Sequence, residues 1–150
     1  MQGKLTILHG ALILLGAFVL LWIGGLWFTA WAGGWRRLAE RFGNPPSFEG
    51  EVTPASSARI RFFFLYKGTL DLGVSEMGLY LAPRRLYRLF HPPLLIPWTE
   101  IQAEMRGRGM WAWSGLHLTF PSVANTTITF YSRELDIVLP YVSDESAPSG

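Results

Sequence analysis

A chain of 150 residues with 13 Lys and Arg against 11 Asp and Glu carries a net charge of +2, too small by itself to imply a nucleic-acid partner. Its zero cysteines exclude disulfides, thiolate metal sites and cysteine nucleophiles together. The hydrophobic fraction is 49%, and it is unevenly spread: no Asp, Glu, Lys or Arg occurs between Lys4 and Arg36.

The first element in chain order is the apolar run Leu5–Ala32, LTILHGALILLGAFVLLWIGGLWFTAWA. As a helix it spans about 42 Å, more than the hydrocarbon core of about 30 Å. Trp22, Trp27, Trp31 and Trp35 crowd its C-terminal end, where indoles suit the headgroup level. A signal peptide is the competing reading, since Ala30-Trp31-Ala32 imitates a small-x-small cleavage site. Its apolar stretch, however, far exceeds the about 7–15 residues of a signal h-region. The expectation is a transmembrane anchor over residues 1–34. Arg36, Arg37 and Arg41 outweigh Lys4 and the terminal amine, which points to a cytoplasmic C-terminal domain and an outside N-terminus in the inner membrane. Gly25, Thr29 and Gly33 form a small-residue stripe suited to a second helix, although glycine is common in such helices anyway. His9, near the N-terminal end, can snorkel to the interface; ligation of a tetrapyrrole has no second ligand to support it.

Residues 35–46 follow, with Trp35, Leu38, Ala39 and Phe42 on one helix face and Arg36, Arg37, Glu40 and Arg41 on the other. This suits a short amphipathic interfacial helix with its apolar side in lipid and its arginines on anionic headgroups. The alternative is a first helix packed on the domain that follows. Gly43-Asn44-Pro45-Pro46 ends it, and residues 47–57, rich in Pro, Ser, Gly and Glu, read as a linker. From 58 to 142 the code is that of strands. They are expected at Arg59–Tyr66, Leu70–Ser75, Leu79–Ala82, Arg84–Phe90, Leu94–Ile96, Gln102–Met105, Leu116–Phe120, Thr127–Tyr131 and Leu135–Leu139. Lys67-Gly68-Thr69, Glu76-Met77-Gly78, His91-Pro92-Pro93, Gly107-Arg108-Gly109 and Pro121–Asn125 read as turns, and 143–150 as a polar tail. Short strands at close spacing mean an antiparallel sandwich or barrel. Its expected core is Phe62, Phe64, Leu72, Val74, Leu79, Ile96, Trp98 and Ile101.

Val74-Ser75-Glu76-Met77-Gly78-Leu79-Tyr80, followed by Ile96-Pro97-Trp98-Thr99-Glu100-Ile101, resembles the strand pattern of bacterial PH-like domains of the GRAM and bacterial-PH kind. Gly34–Phe42 matches a segment that small bacterial membrane proteins of uncharacterised function pair with that run. The resemblance implies an α+β membrane protein: one N-terminal transmembrane helix, a short amphipathic helix, then a PH-like β-barrel or sandwich. Such domains usually close the barrel with a C-terminal helix, and after Leu139-Pro140 the chain reads as having no room for one.

His9, His91 and His117 lie in three different settings, and no H-x-x-x-H, D-x-D, G-x-S-x-G or phosphate loop occurs. Asp71 and Asp136 fall on faces directed to solvent. No enzyme, metal or cofactor is therefore expected. Arg84, Arg85 and Arg88 form a basic cluster that suits lipid headgroups, or an ordinary solvated face; Arg106 and Arg108 flank a glycine loop. Trp111 and Trp113 lie in a glycine-flanked loop, where exposed indoles mark a contact with protein or lipid. The expected function is an accessory or stabilising subunit of a larger membrane assembly, for which a respiratory or photosynthetic complex would fit. Its partners are then membrane lipid and other membrane-protein subunits. The alternative is a standalone adaptor whose domain binds anionic lipid.

Overall fold

The structure, a computed structural model, describes residues 2–45, 47–61, 64–107 and 115–143. Helix α1 runs over Gln2–Ala32, and only 6% of its most apolar stretch is buried against the rest of the protein. From residue 2 to residue 22 its side chains are exposed all round, and only Leu26 and Ala30, in its last two turns, are buried against the domain. It ends where Gly33 donates its N–H to the Thr29 carbonyl at 2.8 Å and Gly34 takes a left-handed φ of 84°. Arg61 then closes the helix end: its Nη1 donates to the Ala32 carbonyl at 2.8 Å, placing a cation on the negative end of the helix dipole.

Helix α2, Trp35–Phe42, turns its apolar face inward. Trp35 and Leu38 are fully buried, and Ala39 and Phe42 pack against the same core. This corrects the interfacial-helix expectation in favour of its alternative. The amphipathic pattern of α2 is satisfied by the sheet, which offers these side chains a dry, close-packed partner.

The strands are β1 (Glu51–Ile60), β2 (Phe64–Ser75), β3 (Gly78–Pro83), β4 (Leu94–Ile96), β5 (Gln102–Arg106), β6 (Gly115–Thr119) and β7 (Thr127–Phe130). They form one antiparallel sheet in the order β4-β3-β2-β1-β7-β6-β5, so two meanders are joined where Arg59 faces Thr129 and Ile60 faces Ile128. The ends β4 and β5 do not meet, and the curled sheet is a half-barrel.

Several boundaries differ from the sequence reading. Residues 51–57, expected as linker, belong to β1, the strand that joins the two meanders. Their polar composition reflects alternation: Ser56, Ala58 and Ile60 point inward while the residues between them are more exposed. The run Arg59–Tyr66 is no single strand, because Arg61, at φ 54°, opens a turn between β1 and β2. Lys67-Gly68-Thr69 does not turn the chain; it is an irregularity inside β2, where the register passes from Ala58↔Tyr66 to Ser56↔Leu70. Arg84–Phe90 is a loop with one 3-10 turn at Arg85–Tyr87, and Trp98–Glu100 is another such turn.

The largest correction is at the C-terminal end. Ser132–Ser143 is helix α3, not a strand, and it supplies the closing helix for which no room was expected. Leu135, Val138, Leu139 and Val142 recur at helical spacing and pack into the core, against β1, β2 and β6. The Glu134 carboxylate accepts the Ser57 N–H at 2.9 Å and ties the start of α3 to β1. The β-branched run before Pro140 imitates a strand, but the open face of the half-barrel demands an apolar stripe about 100° wide, which only the helix provides.

Of the expected core, Leu72, Leu79, Ile96 and Trp98 are buried, while Phe64, Val74 and Ile101 are half-buried; Phe62 lies outside the described residues. Trp98 is fixed by an Nε1–H bond to the Ser75 carbonyl at 2.7 Å and by stacking on Tyr141, ring centroids 5.4 Å apart.

Candidate functional site: the helix–sheet junction

The left-handed turn at Gly34 swings the Trp35 indole off the end of α1 and into the sheet. A side chain at Gly34 would crowd Thr126 and Arg61, so glycine is required there by both space and backbone angle. Trp35 donates its Nε1–H to the Pro92 carbonyl at 3.0 Å. Its ring lies 5.4 Å from the His91 ring and 5.7 Å from that of Tyr66, and the latter two are 5.7 Å apart. The Tyr66 hydroxyl and His91 Nε2 share a hydrogen bond of 2.9 Å. Tyr66 comes from β2 and His91 from the proline corner, so this cluster joins α2, the sheet and the β3–β4 loop at one point.

His91 is 1% exposed, and its Nδ1 has no hydrogen-bond partner among the described residues. Burial lowers its pKa to about 4, with the Tyr87 backbone acting in the opposite direction, so the ring is neutral at pH 7. Burial raises the pKa of Tyr66, which keeps the phenol protonated. The pair is thus a neutral phenol–imidazole contact with no carboxylate to polarise it. Its evident role is to lock α2 onto the sheet. His117, on β6, is a separate case: Nδ1 meets Thr129 Oγ1 at 3.1 Å. Its pKa is lowered first by burial and then by Arg106 and Arg59, with Glu104 opposing.

The residues singled out in the sequence do not converge. Arg36, Arg37 and Arg41 line the outer face of α2, where Arg36 pairs with Glu40 at 3.1 Å and Arg41 with Glu100 at 3.5 Å. Arg37 donates to the Ala124 carbonyl at 3.4 Å. Arg84, Arg85 and Arg88 lie on the β3–β4 loop, all exposed, and Arg88 Nε donates to the Pro83 carbonyl at 2.9 Å. The Gly25, Thr29, Gly33 stripe is divided. Gly33 is buried against the Phe64 ring of the protein's own domain, whereas a side chain at Gly25 would meet nothing within 4 Å. Thr29 donates its hydroxyl to the Leu26 carbonyl at 2.9 Å. His9 donates Nδ1–H to the Leu5 carbonyl at 2.7 Å, within its own helix. Asp71 is half-buried and Asp136 exposed, the latter on α3. Arg106 pairs with Glu104 at 3.2 Å. Arg108, Trp111 and Trp113 lie outside the described residues. Among the described residues no three of His, Cys, Asp and Glu gather closely enough to hold a metal ion.

The sequence reading missed Tyr66, Arg61 and the exposed Leu86 and Leu89. Trp35 and His91 were marked, but for an aromatic belt and a proline corner. The only local signal for their meeting was polar aromatic chemistry on two apolar segments. No protein-family model, curated protein or solved structure matches the chain.

Proposed function

We propose that the protein is a non-enzymatic membrane subunit: α1 crosses the bilayer, and a PH-like β domain on its C-terminal end makes contacts that stabilise a larger membrane assembly. The observation that carries this reading is the combination of a 31-residue apolar helix, exposed on all sides but for Leu26 and Ala30 near its C-terminal end, with a domain clamped to its last turn by Arg61. An all-round apolar helix needs lipid or protein about it along its whole length. The curled sheet closed by α3 supports the PH-like reading.

The cytoplasmic placement of the domain rests on Arg36, Arg37 and Arg41, which remain exposed on α2 and so are available to an anionic inner leaflet. On the helix, the open surface at Gly25 is the place for close approach by a partner helix. Reporter fusions at the two ends test the orientation: alkaline phosphatase active at the C-terminus overturns it. Native mass spectrometry after mild detergent tests the assembly: a subunit carries defined protein partners, and a chain that always emerges alone with lipid refutes the role. The second reading, a lipid-binding adaptor, is favoured by the exposed arginines of the β3–β4 loop.

A further inference from the structure

The β3–β4 loop carries more than arginines. Leu86 is 71% exposed and Leu89 58%, flanked by exposed Arg84, Arg85 and Arg88, none of which pairs with a carboxylate among the described residues. Leu65, on the adjoining stretch of β2, is 52% exposed. Large apolar side chains set between unpaired cations on one short loop are costly in water unless something covers them.

The position of the loop says what covers it. Phe64, at the start of β2, touches Gly33 at the end of α1. Two residues on, Tyr66 holds His91, and beyond it the Thr69 carbonyl accepts the Arg84 N–H at 2.9 Å. The loop therefore lies along the half of β2 nearest the helix end, and Trp35 pins it there through Pro92. The His91 N–H donates to the Arg88 carbonyl at 3.3 Å and the Arg88 N–H to the Arg85 carbonyl at 3.3 Å, so the loop is internally braced. The same end of α1 carries the exposed rings of Trp27 and Trp31, stacked at 6.3 Å. An indole belt at the headgroup level puts this loop beside the membrane surface.

From this geometry we infer that the β3–β4 loop is a second membrane contact: Leu86 and Leu89 enter the interface while Arg84, Arg85 and Arg88 bind the phosphates of anionic phospholipid. The inference rests on the membrane-spanning reading of α1 and adds the lipid class and the residues that read it. Arginine forks match phosphate oxygens two at a time, and leucine between them gains area out of water. Each arginine near an anionic leaflet multiplies the docked population by about fivefold. The anchor confines the domain to the surface, so weak contacts suffice.

The test uses the full chain, whose lack of cysteine allows a single labelling site. An environment-sensitive dye is placed at Leu86→Cys or Leu89→Cys, with Met77→Cys as reference on the β2–β3 turn, which is 64% exposed at the far end of β2. Each variant is reconstituted into phosphatidylcholine vesicles with and without phosphatidylglycerol, both carrying nitroxide-labelled lipid. Quenching at Leu86 and Leu89, several-fold above that at Met77 and increased by phosphatidylglycerol, is expected. Each Arg→Gln change at 84, 85 or 88 is expected to lower the docked-to-undocked ratio about fivefold while thermal melting stays put. Quenching equal at all three sites, or indifferent to phosphatidylglycerol and to the arginines, overturns the inference. So does protection of the loop by a co-purified protein in place of lipid. Alkaline carbonate separates the two levels: release of the protein removes the anchoring reading itself, whereas retention without quenching removes only this contact.

Discussion

Tyr66 and His91 share a hydrogen bond of 2.9 Å beside the Trp35 ring, and they are the point at which the second helix, the sheet and the β3–β4 loop are joined. Tyr66→Phe leaves the imbalance of this pair exposed. Removal of the hydroxyl strands His91 Nε2 in a dry site. A loss of about 1–3 kcal/mol of stability is expected, read from thermal or urea unfolding of the detergent-solubilised chain. Adding His91→Leu should cost less than the two single changes summed, because the stranded group is removed with it.

The same histidine makes stability pH-dependent. Its folded pKa of about 4 lies below the usual 6.5, so the unfolded chain binds the extra proton first as pH falls. Stability from this site is complete above about pH 6.5 and drains away as pH drops toward 4, by about 3 kcal/mol in all. His91→Leu should flatten that slope. A melting temperature of the parent protein that does not fall between pH 7 and 4.5, relative to the variant, contradicts the burial of His91.

Arg61 is expected to govern how firmly the domain is held on α1. Arg61→Ala removes a part-buried, charge-assisted bond to the Ala32 carbonyl, worth about 1.5 kcal/mol. Amide hydrogen exchange over residues 29–34 should quicken, with the strands of the sheet unchanged. Unaltered exchange at the helix end would show that packing alone holds the junction.

The two glycines of the helix stripe should behave oppositely. At Gly33 a side chain would collide with the Thr29 carbonyl and press on the Phe64 ring at 3.3 Å, so Gly33→Leu should disturb the domain junction. At Gly25 there is open space, and Gly25→Leu should leave melting unchanged while weakening any helix partner. Unfolding curves and pull-downs on the pair separate an internal contact from an external one.

Trp98→Ala removes a buried ring, its bond to Ser75 and its stack on Tyr141. A loss of about 3–5 kcal/mol is expected, enough to threaten a domain of ordinary stability. Because Tyr141 belongs to α3, loosening of the C-terminal helix, seen as faster exchange over residues 132–143, should precede global unfolding.

Where a segment's fate depended on its own composition, the sequence was enough. The long apolar run of α1 satisfies its backbone as a helix, and the outward-facing side chains of residues 5–22 follow from its having no polar face. Leu72, Leu79, Ile96 and Trp98 were legible as core because their strands alternate cleanly or sit beside proline turns. The amphipathic face of α2 was legible too, but not what it faces: lipid and a β-sheet present the same apolar demand. Leu135–Leu139 read as a strand, and the open half-barrel turned Ser132–Ser143 into the helix that plugs it. The Tyr66–His91 bond, across 25 residues, and the Arg61 cap, across 29, exist only once the chain is folded. Local pattern determines what each piece can bury; which piece buries it, and against which residue, is settled by long-range packing that no window of sequence contains.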